Sequence, residues 1–269
     1  MIRDITIGQY YPVDSVIHRL DPRVKLFTTV IFIISLFIKK NIVLYMGATI
    51  FLITVIILSK VPLRYILKGL KPIVFLLIFT CVMNLFFSRG ETVLFSYKIF
   101  VISKEGIYSA SFLAIRLIEL VIGSALLTYT TTPTKLTDGI EKGLGFLRVF
   151  KIPVHEFAMM MSIALRFIPI LMEELDKIMK AQEARCATFN EGNFINRAKA
   201  MVPILIPLFV AAIRRANDLA LAMESRCYQG GEGRTKLHPL KYKARDRIAY
   251  FITFAYLAAM IGLRMIVSA

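Results

Sequence analysis

Residues 42–59 read IVLYMGATIFLITVIILS, eighteen residues without one charged side chain. The hydrocarbon core of a bilayer takes roughly 20 mostly apolar residues in helical form. Two other runs point the same way: Pro72–Ser88 and Leu120–Thr134 also carry no charge. Working outward, the whole chain of 269 residues is 57% hydrophobic, with a mean hydropathy of +0.66. A soluble domain of this length is nearer half apolar. The chain is therefore expected to be an all-α membrane protein.

Five spans are expected, at about 24–40, 42–59, 72–88, 110–129 and 248–267. The segment after the second span holds Lys60, Arg64, Lys68 and Lys71 with no acid, whereas Arg89 to Gly106 mixes both signs. Basic loops stay in the cytoplasm, which places the first of these inside and the second outside. The N-terminus and everything from about Thr130 to Arg247 are then cytoplasmic. Lys39 and Lys40 at the outer face go against the rule. The early residues Arg3, Asp4 and Asp14 leave no apolar core for a cleavable signal peptide. The chain thus divides into membrane helices 1–4 over 1–129, an interfacial coupling-helix domain over 130–247, and a last membrane helix over 248–269.

The net charge of +16 raises the question of nucleic acid. In a membrane protein basic residues mark cytoplasmic loops and the anionic leaflet, so the bilayer is the expected partner and nucleic acid is not. Cys81, Cys186 and Cys227 with His18, His155 and His238 are too scattered for a metal site. There is no GxxxxGK[ST] loop and no HExxH pair, and no cofactor is expected. The glycines of GGEGRTKL (230–237) lack phosphate-loop spacing and read as a helix stop.

Within 130–247 charges recur every few residues. Thr131-Thr132-Pro133 reads as a helix start, followed by a stripe of Leu136, Ile140, Leu144 and Leu147. Pro153 opens a second helix with Pro169 inside it, and NEGN (190–193) breaks it. A third helical stretch runs from Ile195 to Cys227. Its prolines, Pro203 and Pro207, suggest a bend in what would otherwise be a rod of about 48 Å. These amphipathic helices are expected at the inner membrane face. The alternative, with 157–172 and 201–213 as short spans, gives seven crossings. Met159, Met160, Met161, Met172, Met179, Met201 and Met223 suit a surface that repacks, or serve as plain core filler.

One phrase occurs twice. AQEARC (181–186) and AMESRC (222–227) agree at alanine, glutamate, arginine and cysteine. Arg185 and Arg226 have no acid three or four positions away, since Glu183 and Glu224 sit two back. Each lies near a helix end, where a guanidinium offers five donors in a fixed fork. Ala184-Arg185-Cys186 and Ser225-Arg226-Cys227 therefore read as two matching plugs for a dimeric or pseudo-dimeric partner. An arginine can also simply favour a helix C-terminus by roughly 0.3–1 kcal/mol. In the fourth span Arg116 and Glu119 are close enough to touch. They read as a structural salt bridge or part of an ion path. Asn84 is a further polar residue in the third span. Asp21-Pro22 reads as the cap of the first helix.

The chain resembles the transmembrane T component of energy-coupling factor transporters, the family that includes the permease subunit of cobalt importers. The resemblance covers GQYYPVDSVIHRLDPRVKL (8–26), TTTPTKLTDGIEKGL, the stretch from IPVHEF to QEARC, and AMESRCYQGGEGRTKL. It implies a non-catalytic subunit of an ATP-binding-cassette importer in a prokaryotic cell membrane. Its partners would be two ATPase subunits and a substrate-capturing S component for a vitamin, or for another micronutrient such as cobalt or nickel. In such proteins an arginine at the end of each coupling helix enters a groove on one ATPase. That role falls on Arg185 and Arg226, which are expected to lie close together where the two helices cross. Cys186 and Cys227 stand where glycine is commoner, which puts the turn after each arginine in question. The rival class is a self-sufficient secondary transporter or channel, which would need inverted repeats and several buried polar groups.

Overall fold

The structure, a computed structural model, describes residues 10–39, 41–87, 93–97, 100–150, 153–187, 194–230 and 239–268. Eight α-helices account for most of them: α1 (Pro22–Ser35), α2 (Ile42–Ser59), α3 (Leu63–Phe87), α4 (Lys104–Thr130), α5 (Pro133–Gly143), α6 (Val154–Glu183), α7 (Phe194–Glu224) and α8 (Ala244–Ser268). A small antiparallel hairpin, β1 (Val93–Tyr97) and β2 (Phe100–Ser103), connects α3 to α4. Among the described residues six helices are long and apolar enough to cross a membrane: α2, α3, α4, α6, α7 and α8. The all-α membrane class is thus observed.

Several helices extend beyond the expected spans, because a charge ends a span without ending a helix. Pro72 lies inside α3, which begins at Leu63 and carries Arg64, Lys68 and Lys71 in its first turns. At α4 the Ser103 side chain accepts from the Gly106 N–H at 3.0 Å, so the helix starts ahead of the apolar run. The first helix differs in the other direction. Asp21 caps it as expected, accepting from the Arg23 N–H at 3.0 Å, with Pro22 behind it. It closes at Ser35 with a turn, well short of residue 40.

By packing, the chain falls into two compact units, residues 1–143 with 240–269, and residues 144–239. In the first, Phe32, Leu44, Ala48, Leu52, Leu126 and Met260 belong to one buried apolar cluster. Gly123 on α4 makes this packing possible, since a Cβ there would lie 2.7 Å from the Phe32 ring. Gly139 does the same for α5, whose missing Cβ leaves room for Pro22. The buried face of α5 is consequently Thr137, Gly139 and Glu141. Of the apolar stripe, Ile140 on α5 and Leu144 just past its end are exposed and Leu136 is half-buried, contrary to the usual inward reading of such a stripe.

Polar groups fasten the ends of these helices. The Lys25 ammonium donates to the carbonyls of Thr130 (2.8 Å) and His18 (3.2 Å), joining α1 to the last turn of α4. The Asp246 carboxylate accepts from the Asp21 N–H at 2.9 Å and the Lys243 N–H at 2.7 Å. Arg23 and Lys142 both donate to the Leu240 carbonyl. The points where the chain leaves this unit after Gly143 and re-enters it at Leu240 are thereby held together.

Candidate functional site

The unit of residues 144–239 is built around α6 and α7, which end alike. At the end of α6 the Cys186 N–H donates to the Glu183 carbonyl (2.9 Å) and the Ala187 N–H to the Gln182 carbonyl (3.1 Å). At the end of α7 the Cys227 N–H donates to the Glu224 carbonyl (2.8 Å) and the Tyr228 N–H to the Met223 carbonyl (3.0 Å). This pair of bonds is the Schellman turn, which satisfies carbonyls left over at a helix end and needs one residue in the left-handed region. Cys186 (φ 64°) and Cys227 (φ 55°) are those residues. Cysteine therefore takes the conformation for which glycine is the usual choice, and the chain reverses after each arginine.

Arg185 and Arg226 stand directly before the reversal and are exposed, as are Ala184, Ser225 and both cysteines. Among the described residues neither guanidinium has an ion pair or a hydrogen bond to a side chain. Glu183 and Glu224 are exposed and apart from them. Thr188, Phe189 and the NEGN stretch lie outside the described residues, as does GGEG beyond Gly230.

The two arginines do not lie close together. Three contacts fix how α6 and α7 run: Tyr228 Oη to Met159 Sδ (3.1 Å), Arg215 to Glu174 (3.3 Å), and the Gln182 amide to the Pro203 carbonyl (3.4 Å). As the α6 partner moves up the chain, the α7 partner moves down it. The helices are antiparallel and in register along most of their length. The Arg226 turn is level with the start of α6, and the Arg185 turn with the Pro203 end of α7. At 1.5 Å per residue they are about 36 Å apart. The expected approach at a crossing fails because antiparallel neighbours put their C-termini at opposite ends. Pro203 and Pro207 sit inside one continuous helix and do not fold it back.

An antiparallel pair with the same turn at each C-terminus has a local two-fold arrangement. Each helix is also polarised along its length. Exposed apolar residues gather in the first half, Phe157, Met160 and Met161 on α6, and Met201, Ile206 and Phe209 on α7. Glu173 to Arg185 and Arg214 to Arg226 carry most of the charges, with Glu156 and Arg166 on α6 and Arg197 and Lys199 on α7 ahead of them. The exposure of Met160, Met161 and Met201 takes them out of any core-filling role.

In the other unit Arg116 and Glu119 do not pair with each other. The Arg116 Nε donates to the Tyr45 hydroxyl at 2.8 Å, with the guanidinium over the Phe37 and Tyr45 rings. Glu119 accepts from the Thr49 hydroxyl. Tyr45 and Thr49 are one turn apart on α2, so the two ionisable groups grip successive turns of the neighbouring helix. No spacing within α4 could have revealed this. Asn84 Oδ1 is buried with no partner among the described residues, and no group of His, Cys, Asp or Glu there could hold a metal ion.

Residues 14–237 match the family described as CbiQ, Cobalt transport protein. The chain is 54% identical over 250 residues to the energy-coupling factor transporter transmembrane protein EcfT of Clostridium kluyveri, covering 93% of each. It is 51% identical to the protein of that name from Thermosediminibacter oceani, over 94% of this chain and 95% of the relative. The Bacillus subtilis protein of the same name is 44% identical over 97% of this chain and 98% of its own length.

Proposed function

The chain belongs to the CbiQ cobalt transport protein family, as a transmembrane component of the energy-coupling factor kind, and on that premise we propose that it couples two ATP-binding subunits to a separate substrate-capturing membrane protein for uptake of a vitamin or another micronutrient. The observation that carries this reading is the pair of identical helix ends. Arg185 and Arg226 project, unpaired among the described residues, from the same turn at opposite ends of an antiparallel helix pair. A local two-fold presents the same patch twice, which is what a two-fold or pseudo-two-fold ATPase pair can receive. A bare guanidinium in a rigid turn suits carboxylates or helix-end carbonyls on each subunit.

Nucleotide binding would draw the two ATPases together and load the α6–α7 pair at both ends, about 36 Å apart. Two packed antiparallel helices respond to such a load by tilting or shearing as a unit. The chain itself contributes no catalysis; hydrolysis belongs to its partners. The coupling role is assigned to residues 130–247, between membrane helices over 1–129 and 248–269, with the N-terminus and coupling region cytoplasmic.

The register of α6 and α7 also supports their lying along the inner membrane face. The more apolar first half of each, which itself carries two charges, is level with the strongly charged second half of the other. No slab of the pair as thick as a hydrocarbon core is free of charge, and charges in that core are costly. Amphipathic helices in the interface plane have no such conflict.

The test is charge reversal at both ends. Arg185→Glu with Arg226→Glu is expected to abolish co-purification of the ATPase pair while membrane insertion is kept. Recovery of the whole complex with the double variant would reject the docking assignment.

A further inference from the structure

Between α1, α2, α4 and α8 lies a cavity of about 430 Å³, open on one side. Its walls are apolar despite five threonines in the lining. The hydroxyls of Thr28 and Thr253 bond each other, and those of Thr29, Thr54 and Thr130 donate to carbonyls of their own helices, so all five are already satisfied by the protein. The lining on α2 runs from Gly47 to Leu58, about 16 Å. Toward the Gly47 end the Phe51 and Tyr256 rings, both in the lining, stack at 4.3 Å. The other end is bounded by Leu58, Thr130 and Ala249, near the termini of α2, α4 and α8.

Among the described residues one charged side chain, that of Lys25, lines this space. Lys25 is only 8% exposed. It has three N–H donors and meets two acceptors, the Thr130 and His18 carbonyls. Among the described residues no carboxylate comes within ion-pair distance. Asp21 and Asp246 attract it from farther off, and Lys135 repels it. The site thus has an ammonium with a spare donor at one end and an apolar slot about 16 Å long behind it. It lies among helices fit to cross a bilayer.

We propose that this slot binds one acyl chain of an anionic phospholipid, with the headgroup phosphate drawn to Lys25 and Lys135. The slot volume falls in the range of small-molecule sites, and its two ends match the two ends of an amphiphile. Charge complementarity selects the anionic headgroup, since a basic group near the membrane surface favours acidic lipid.

The experiment uses the full chain in vesicles with phosphatidylglycerol or phosphatidylcholine bearing a photoactivatable acyl chain. Labelling is expected to concentrate on peptides covering residues 47–58 and 249–256, about fivefold stronger with phosphatidylglycerol. Val55→Trp, which fills the slot without touching Lys25, should remove that labelling and leave the labelling of α3 unchanged. Lys25→Met should erase the headgroup preference. Even labelling of all membrane helices, equal labelling by both lipids, or labelling indifferent to Val55→Trp would overturn the proposal. So would loss of the label when the chain is assembled with its partner proteins, which would make the slot a protein seat.

Discussion

Arg185 and Arg226 occupy the same position of the same turn, each followed by a cysteine with positive φ, 64° at Cys186 and 55° at Cys227. A Cβ in the left-handed region is strained by roughly 1–2 kcal/mol, and glycine is not. Cys186→Gly and Cys227→Gly should therefore firm the turns. Amide exchange at Ala187 and Tyr228, whose N–H groups close them, should slow by several-fold in each variant. Cys186→Val and Cys227→Val should speed it, because a β-branched side chain fits that region worst.

The Arg116 and Glu119 arrangement gives opposite expectations for its two members. Tyr45→Phe leaves the Arg116 Nε without its oxygen acceptor, at an expected loss of about 1–3 kcal/mol in stability. Glu119→Gln keeps an oxygen for the Thr49 hydroxyl and should leave uptake by the reconstituted complex close to normal. A proton path through this carboxyl would instead lose uptake in that variant.

Asp246 is 2% exposed and accepts two backbone N–H groups, from Asp21 and Lys243. Asp246→Ala strands both donors, and the expected destabilisation is about 2–4 kcal/mol. Asp246→Asn retains one acceptor and should fall between the two. Thermal unfolding followed by circular dichroism in detergent gives the order directly.

His18 gives a pH dependence outside the membrane helices. Its Nε2–H donates to the Tyr11 carbonyl at 3.0 Å, and its Nδ1 lies 2.7 Å from the Ser15 hydroxyl, which donates to it when the ring is neutral. Burial first, and then the nearby Lys25 charge, hold its pKa below the usual 6.5. Just below pH 6.5 the unfolded chain binds the proton and the folded chain does not. Stability should rise with pH through that window and be complete above it. His18→Gln should flatten the slope in melting curves taken between pH 5 and 7.

Much of the fold was legible because bilayers impose a simple rule. The uncharged run of 42–59 coincides with α2, and the caps at Asp21 and Thr132 fall where local chemistry puts them. Helix limits at Leu63 and Lys104 were less legible, since hydropathy reports where lipid ends and not where hydrogen bonding ends. The buried polar face of α5 was hidden as well. It depends on Gly139 meeting Pro22, more than a hundred positions away in the chain.

The sequence by itself determined that this is a helical membrane protein, that it repeats one arginine-bearing phrase, and which family it resembles. Those properties are local, written in runs, spacings and short motifs. Only the tertiary structure decided that the two phrases end in the same left-handed turn, and that their helices run antiparallel with the arginines about 36 Å apart. It also decided that Arg116 and Glu119 reach for α2 and not for each other. The reason is that side-chain partners and helix direction are fixed by packing between distant segments, and no periodicity within one segment carries that information.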